Sequence, residues 1–351
     1  MAIFFGVLAL VLIALIIFQI ARTRELVNVL KNEDEFSSST NTFNAVAVLV
    51  MGILGLIGIV WSVISYKDKF LPEAASMHGI WIDNMIMVTL FFTGIVFLVT
   101  HILLFWFAYK YRYRRDRSAY YYPQNNKLEV VWTVVPAIVL TILVVMGINY
   151  WMKITGPAPD DAMVVEVTGQ QFNWTARYPG QDGELGDTKF ELIDGTNKLG
   201  MDWDDEATRD DILPNKIHLI KDQPVLFKLR AKDVLHSFFL PHFRVKMDCV
   251  PGTPTRFWMK PTKTTEEMRK MTGNEGFTYE LACAELCGQG HYNMRMEVVV
   301  HTREEFNKWK QEQQPYYEVI GANEEAESSG QEQALSSGKG GKEEESESTE
   351  I

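Results

Sequence analysis

Four apolar runs occupy most of the first 152 residues, and each is close to the length of a membrane-spanning helix. About 20 apolar residues in helical form cross the ~30 Å hydrocarbon core of a bilayer. The runs cover 3–20, 43–65, 81–109 and 129–152. The first run lacks the positively charged start and the small-residue cleavage motif of a signal peptide, so we expect a retained helix. The sequence therefore predicts a four-helix membrane anchor, with two helices over 1–80 and a helical hairpin over 81–154.

Basic residues between the apolar runs orient the anchor. The two connecting loops, 21–42 and 110–128, contain Arg22, Arg24, Lys31, Arg112, Arg114, Arg115 and Arg117. Positively charged loops tend to remain in the cytoplasm, which places both loops inside and both ends of the chain outside. The domain after the fourth helix is therefore expected in the periplasm or its equivalent.

From Met163 the apolar runs give way to short alternating segments. The first two are 163–168 and 171–178, and further short strands fit 216–220, 224–230, 235–240, 255–260, 276–282 and 294–301. Several short strands separated by Pro and Gly are typical of an antiparallel Greek-key sandwich, here over about 155–315. An amphipathic segment, 302–313, is expected to close the domain as a helix with Phe306 and Trp309 facing inward.

Acidic residues dominate the charge of the chain. A net charge of -11 and the lack of a basic stripe argue against a nucleic-acid partner. Residues 182–211 contain eleven carboxylates against three basic residues, which suits either a solvated loop or a docking face for a basic protein. A calcium site at Asp202, Asp204 and Glu206 is a weaker alternative, because the EF-hand Gly and terminal Glu are missing. Residues 316–351 are rich in Glu, Ser, Gly and Gln and are expected to be disordered.

One short segment concentrates soft metal ligands. It offers thiols at Cys283 and Cys287, an imidazole at His291 and a thioether at Met294. This set favours copper over hard cations, and the thioether argues against a structural zinc site. A further ligand is expected from His236, in Val-Leu-His-Ser-Phe-Phe. The alternative is a disulfide with an unrelated His and Met nearby.

The spacing Cys-x3-Cys-x3-His-x2-Met, with the upstream His-Ser-Phe, resembles the binuclear CuA site of subunit II of the haem–copper cytochrome c oxidases. The resemblance covers about residues 80 to 312 and implies a cupredoxin fold. In that family two Cys sulfurs bridge two copper ions, one His caps each, and a Met and a backbone carbonyl are axial. Carried over, these roles fall to Cys283, Cys287, His236, His291, Met294 and the carbonyl of Glu285. The third cysteine, Cys249, we interpret as a small buried hydrophobic residue.

The same resemblance implies further site residues. The carboxylate of Glu285 would reach a magnesium or manganese ion shared with subunit I, close to Lys246 and Asp248. Phe172 falls where the family has the Trp that receives electrons from cytochrome c, and Trp174 is the second aromatic of that motif. Both rings could instead belong to the sandwich core.

Three polar residues lie in the predicted anchor. Glu129 begins a Glu-x-x-Trp-Thr-x-x-Pro segment that is similar to the family's cytoplasmic start of a proton-uptake pathway. Its alternative is a solvated carboxylate that the helix dipole stabilises. His101 is expected to be a packing histidine rather than a proton relay, and Asp83 to be interfacial.

These features predict subunit II of a bacterial cytochrome c oxidase in the inner membrane. Such a subunit accepts electrons one at a time from a c-type cytochrome and passes them to haem in subunit I, where oxygen reduction is coupled to proton translocation. The chain has no Cys-x-x-Cys-His haem motif, so the donor is expected on a separate chain, which a larger complex could hold. The alternatives are the copper subunit of another respiratory reductase and a membrane-tethered copper carrier. The first two helices lie outside the family's hairpin and are expected to pack against other oxidase subunits.

Overall fold

A computed structural model describes residues 2–30, 38–114 and 116–321 of the chain. The chain divides into two compact units. One unit contains the described residues up to Leu71 together with Ile86–Val145, and it is helical. The other contains Pro72–Met85 and the described chain from Met146 onward, and it contains all the described strands.

Four long helices precede the strands. They are α1 (Ala2–Leu30), α2 (Ser38–Tyr66), α3 (Met77–Lys110) and α4 (Asn126–Thr155). Three stretches of the described chain are long and apolar enough to cross a membrane, namely Thr40–Lys69, Met77–Lys110 and Asn126–Thr155. The predicted span at 3–20 lies inside α1, and its crossing of the membrane stays a prediction.

Polar capping residues explain why α3 and α4 begin before the apolar runs from which they were predicted. Before α3, the Ser76 hydroxyl accepts a hydrogen bond from the backbone N–H of Gly79 at 2.8 Å. Before α4, the Asn125 side chain accepts one from Leu128 N–H at 3.1 Å. Such caps satisfy N–H groups that have no partner within the helix. They lie outside the apolar run because their side chains are polar.

The second unit contains a β-sandwich, as the strand pattern predicts. Its strands are β1 (Met163–Gln170), β2 (Asn173–Arg177), β3 (Ile217–Ile220), β4 (Val225–Ala231), β5 (His236–Leu240), β6 (Val245–Cys249), β7 (Thr255–Met259), β8 (Tyr279–Cys283) and β9 (Arg295–His301). One sheet has the order β2-β1-β4-β7 and the other β3-β9-β8-β5-β6. The sequence analysis missed β6, where exposed Lys246 and Asp248 alternate with buried positions.

Two strand pairings correct the expectation of an antiparallel sandwich. β1 pairs with β4 in parallel, and β3 pairs with β9 in parallel, whereas the other pairings are antiparallel. In both parallel pairs the partners are distant in sequence. Their pairing therefore depends on long connections that local strand patterns do not reveal.

The sandwich core lies between the two sheets. Phe227 of β4 packs against Phe238 of β5 with ring centroids 5.1 Å apart, and both side chains are fully buried. β1 is buried on both faces along most of its length, although its sequence alternates as if one face met solvent. The second face is covered because the acidic segment 182–211 folds back over it. Its clearest anchor is Arg177, whose side chain is 1% exposed.

Arg177 holds the acidic segment to the sheet by ionic contacts. Its guanidinium donates to the carboxylate of Asp211, which is fully buried, to the carbonyl of Gly186 at 2.7 Å and to Glu166 at 3.4 Å. Farther along, Asp205 caps the short helix α5 (Glu206–Arg209) by accepting from Ala207 N–H. The segment is thus a folded insert, in which several carboxylates have structural partners.

Two helices complete the domain around the sandwich. α6 (Thr265–Thr272) and α7 (Arg303–Gln311) each begin with a capping box, from Thr264 and Thr302 respectively. α7 confirms the predicted closing helix, because Phe306 is buried and Trp309 stacks on His218 with ring centroids 3.9 Å apart.

The first residues of the predicted disordered tail are folded. Residues 316–321 are helical, and Tyr316 donates its backbone N–H to Asp211 O at 2.8 Å. An aromatic contact between Tyr317 and Trp203, 5.4 Å between centroids, adds to this packing. The prediction is therefore wrong for 316–321, because it weighed only the polar composition of the stretch. Its remainder, 322–351, lies outside the described residues.

Candidate metal centre

The candidate ligands come from two neighbouring strands and one loop. His236 begins β5, Cys283 ends β8, and the pairing of these strands sets Phe238 opposite Cys283. The loop from Cys283 then returns to β9, and it is closed by a hydrogen bond from Cys283 N–H to Met294 O at 3.1 Å. This closure places the loop ligands beside His236, although they are 47 or more positions later in the sequence.

The two cysteine sulfurs lie 3.9 Å apart. A disulfide needs a sulfur–sulfur distance of about 2.05 Å, so the disulfide alternative does not describe this geometry. The Nδ1 atom of His236 lies 3.9 Å from Cys283 Sγ, and Nδ1 of His291 lies 3.7 Å from Cys287 Sγ. Each sulfur therefore has its own imidazole.

Two weaker donors approach the same sulfurs. Met294 Sδ lies 3.8 Å from Cys287 Sγ, and the carbonyl oxygen of Glu285 lies 3.2 Å from Cys283 Sγ. All six residues that the sequence analysis proposed as copper ligands are thus brought together. Among the described residues, a compact group of three or more His, Cys, Asp or Glu ligands occurs at one place, formed by His236, Cys283 and Cys287. The structure gives no such group at Asp202, Asp204 and Glu206, where calcium was considered.

The environment of these donors fits a bound soft metal. His236 and Met294 are fully buried, and Cys287 is 3% exposed. Burial, together with the neighbouring Cys283 sulfur, raises the pKa of the Cys287 thiol to about 11. A thiolate at this position therefore needs a cation to offset its charge, and thiolate, imidazole and thioether donors prefer copper.

Asp233 fixes the orientation of His236. Its carboxylate oxygen Oδ1 lies 2.8 Å from His236 Nε2, and because a carboxylate only accepts, Nε2 carries the proton. The unprotonated Nδ1 then faces Cys283. The other oxygen of Asp233 accepts from Gln171 N–H at 2.7 Å. Burial alone would raise the pKa of Asp233, but hydrogen bonds from Gln171, His236 and Val234 lower it below its ordinary value.

Gln171 joins this network to the ligand loop. Its side-chain amide donates to the carbonyl of Cys287 at 2.6 Å. Gln171 and Asp233 thus connect β1 and β5 to the cysteine loop, and such outer partners commonly orient metal ligands. The sequence analysis missed both residues. For Asp233 a signal was available, because a carboxylate three positions before a candidate ligand often orients it.

Cys249 does not join the ligand group. It lies opposite His236 in the pairing of β5 with β6, and it is fully buried. Burial raises the pKa of its thiol to about 12. The interpretation of Cys249 as a small buried hydrophobic residue is therefore confirmed.

Glu285 presents two different groups in two directions. Its residue is exposed, while its carbonyl oxygen faces Cys283. Asp248 is also exposed, accepts a hydrogen bond from the Ser237 hydroxyl at 2.7 Å and pairs with Lys246 at 3.5 Å. The carboxylates of Glu285 and Asp248 are therefore accessible for contacts outside the domain.

Phe172 and Trp174 have different environments. Phe172 is 41% exposed and packs on the ligand loop so closely that a Cβ atom added to Gly290 would overlap its ring. Trp174 is 4% exposed and lies edge-on to His236, with ring centroids 5.9 Å apart. Phe172 therefore offers a surface contact beside Cys287 and His291, whereas Trp174 belongs to the core.

The three polar residues of the predicted anchor have different surroundings. Glu129 is exposed in the first turn of α4. The Nδ1 atom of His101 lies 2.8 Å from Phe97 O of its own helix, as expected for a packing histidine. Asp83 accepts two hydrogen bonds from the guanidinium of Arg244, at 2.8 and 2.9 Å, so it ties the start of α3 to the sandwich.

Comparison with known proteins identifies the family. A profile described as cytochrome C oxidase subunit II, periplasmic domain, matches residues 163–302, and one described as its transmembrane domain matches 64–149. The alternative cytochrome c oxidase subunit 2 of Bradyrhizobium diazoefficiens is 34% identical over 245 residues, which cover 69% of this chain and 84% of that protein. The chain belongs to the cytochrome c oxidase subunit II family. As a member of that family, it is a component of an oxidase complex, with a membrane anchor and a periplasmic cupredoxin-like domain.

Other relatives agree with this assignment. Cytochrome c oxidase subunit 2 of Thermostichus vulcanus is 29% identical over 287 residues, which cover 73% of this chain and 84% of that protein. A comparison with solved structures matches the periplasmic domain of subunit II of cytochrome oxidase of Bradyrhizobium japonicum at 25% identity. The match covers 44% of this chain and 95% of the solved domain, and its TM-score of 0.31 is too low to add to the family assignment.

Proposed function

We propose that this subunit accepts electrons at a binuclear copper centre in its sandwich domain. The observation that supports the proposal is the pair of cysteine sulfurs 3.9 Å apart, each with one imidazole Nδ1, at 3.9 and 3.7 Å. Two sulfurs with one nitrogen apiece provide two similar metal positions. A structural zinc site would instead gather four ligands around one point.

These positions support the ligand roles that the family resemblance implies. The thiolates of Cys283 and Cys287 and the imidazoles of His236 and His291 would hold the copper ions as strong donors, and the Met294 thioether and the Glu285 carbonyl would be weaker donors. When bound, the two copper ions would supply one-electron oxidation and reduction. The chain contributes ligands whose positions are fixed, because strands and the Asp233–Gln171 network hold them. Fixed ligands reduce the rearrangement that a change of charge would otherwise require.

Phe172 is proposed as the point where electrons arrive. It is the aromatic side chain that is both partly exposed and packed on the loop between Cys287 and His291. The donor would be a c-type haem on a separate chain, and the acceptor a haem in subunit I. For Trp174 the burial favours a role in packing His236.

Two carboxylates are proposed to act at boundaries with subunit I. The exposed side chain of Glu285 would reach a magnesium ion between the subunits, while its carbonyl stays with the copper ligands. Glu129, exposed at the start of α4, would begin a proton-uptake pathway on the cytoplasmic side.

The membrane arrangement is proposed as a four-helix anchor over 1–154 with the domain 155–315 in the periplasm. The chain would cross the inner membrane of a bacterium several times, since three described helices have spanning length and composition. α1 would supply the fourth crossing, and the first two helices would pack against other oxidase subunits.

Copper content and electron paramagnetic resonance of the full chain in detergent test this function. We expect two copper ions per chain and a signal from one electron shared between them. Cys283→Ser should abolish that signal, whereas Cys249→Ser, at a buried cysteine outside the ligand group, should retain it. One copper per chain, or a native signal in Cys283→Ser, would contradict the binuclear assignment and favour a copper carrier.

A further inference from the structure

A cavity of about 380 Å³ lies between the acidic insert and the four-stranded sheet. Its walls are the insert loop 188–199, the end of β4 and the turn at 250–254, and no proposed copper ligand lines it. All the charged side chains that line it are cationic, namely Lys189, Lys198, Arg230 and Lys232. We call it the cationic cavity. Four cations without a carboxylate are unexpected in a chain of net charge -11.

Two of these four cations are not neutralised by the described part of the chain. Lys189 pairs with Asp202 at 2.5 Å, and Arg230 contacts the Thr188 hydroxyl and lies 3.5 Å from Glu166. The side-chain ammonium groups of Lys198 and Lys232 have no hydrogen bond or ion pair among residues 2–30, 38–114 and 116–321, although the backbone N–H of Lys232 donates to Gly169 O at 3.0 Å. The cavity therefore suits an anionic group from outside the described residues.

Apolar groups next to these cations indicate which kind of anionic group the cavity can bind. Phe190, Ile193, Leu199 and Val250 share the lining with the lysines. A carboxylate carried on methylene groups matches both parts, since its charge meets the lysines and its stem covers apolar surface. A glutamate side chain has this form.

The chain itself has many glutamates after the last described residue, Gly321. Residues 322–351 contain nine Glu and two Lys. Just before them, the Tyr316 hydroxyl donates to Thr196 O at 2.8 Å, and Thr196 is two positions from Lys198. The described chain therefore ends at Gly321, five residues beyond a contact with the loop that forms one wall of the cavity. Even without any fixed structure, 20–25 residues of polypeptide span roughly 25 Å on average, a length that would bring most of these glutamates within reach.

We propose that the cationic cavity binds glutamate side chains of residues 322–351 of the same chain. A short tether gives an effective concentration of about 1 mM or more, so a few ion pairs of modest strength suffice. Pairing would neutralise Lys198 and Lys232 and hold residues 322–351 against the insert.

Amine labelling of the intact oxidase tests this proposal. The full chain is compared with a chain that ends at Gly321, each at low ionic strength, and acetylation rates of individual lysines are read by mass spectrometry. Removing 322–351 should speed labelling of Lys198 and Lys232 about two- to tenfold. Lys228 is the matched control, because it is exposed on the same strand as Arg230 and does not line the cavity, so its rate should not change.

Zero-length carbodiimide cross-linking gives a second measurement that does not depend on the truncated chain. We expect cross-links from Lys198 or Lys232 to glutamates in 322–351. When isotopically labelled and unlabelled chains are mixed, each cross-link should join two residues of the same chain. Equal labelling rates with and without 322–351 would overturn the proposal, as would cross-links that favour Lys228 equally. Protection that persists in the shortened chain would also overturn it and would indicate a different anion.

Discussion

Replacement of Asp233 by Ala tests whether hydrogen bonds outside the ligand set hold the metal centre. The Asp233 carboxylate accepts from His236 Nε2 at 2.8 Å and from Gln171 N–H at 2.7 Å. Hydrogen bonds to a charged group contribute about 1.5–3 kcal/mol. The side chain is 29% exposed, so water replaces part of what is lost. If only the hydrogen bond to His236 supports the metal, we expect Asp233→Ala to make the free energy of copper binding less favourable by about 1.5–2.7 kcal/mol. This corresponds to roughly 10- to 100-fold weaker copper binding.

The assay is competition for copper between the full chain in detergent and a chromophoric chelator. Asp233→Asn should fall between the wild type and Asp233→Ala, because an amide keeps one acceptor oxygen but not the charge. Asp161→Ala removes an exposed carboxylate before β1 and should leave copper affinity unchanged. If both Asp233 variants remain folded and bind copper within about twofold of the wild type, the network does not support the ligands.

Substitutions of Phe172, Glu129 and His218 test three further predictions. Phe172→Ala should slow reduction of the copper centre by a c-type cytochrome at least about tenfold without altering the copper signal. Phe172→Trp should preserve the rate, because it keeps an aromatic ring at this position. Equal rates in the wild type and both variants would exclude Phe172 as the electron contact. Glu129→Gln should lower turnover and proton uptake of the assembled oxidase at unchanged copper content, and normal proton uptake would remove it from the pathway. Burial lowers the pKa of His218 to about 3, and His301, Lys216 and Trp309 surround it. Since the unfolded imidazole has a pKa of about 6.5, the folded form is destabilised as pH falls below that value, by up to about 2 kcal/mol from pH 7 to 5. Denaturant titrations should show this slope in the wild type and a smaller one in His218→Phe.

The clustering of the candidate ligands was predictable because each of these residues is chemically distinctive and most lie in one short loop. The loop ligands Cys283 to Met294 needed only one distant partner, His236, and the structure brings them together. Gln171 was missed because it acts through an amide and a backbone N–H, neither of which is distinctive in a sequence. The parallel pairing of β1 with β4 was missed because it joins segments far apart in the chain.

The acidic insert shows why a count of its charges could not decide between a solvated loop and a docking face. The sheet face beneath it carries Arg177 and Arg230, which pair with Glu166 and, for Arg177, with Asp211 from the insert. Other carboxylates of the insert accept backbone N–H groups; Asp194 accepts from Thr196 and Asn197, which lowers its pKa. These roles make the insert fold and cover the sheet, and neither the solvated loop nor the docking face alone describes them.

The structural roles of the insert carboxylates bear on where an electron donor would bind. Carboxylates that already accept hydrogen bonds within the insert contribute less to a long-range field than their number suggests, because part of their charge is compensated locally. Around the candidate ligands, in contrast, several large hydrophobic side chains are exposed, with Leu235, Leu286 and Tyr292 next to ligand positions in sequence and Phe172 packed on the loop. Apolar contacts are short-ranged and only weakly sensitive to salt. If Phe172 is the electron contact proposed above, we expect donor binding to depend on close packing at this ring more than on electrostatic attraction to the insert.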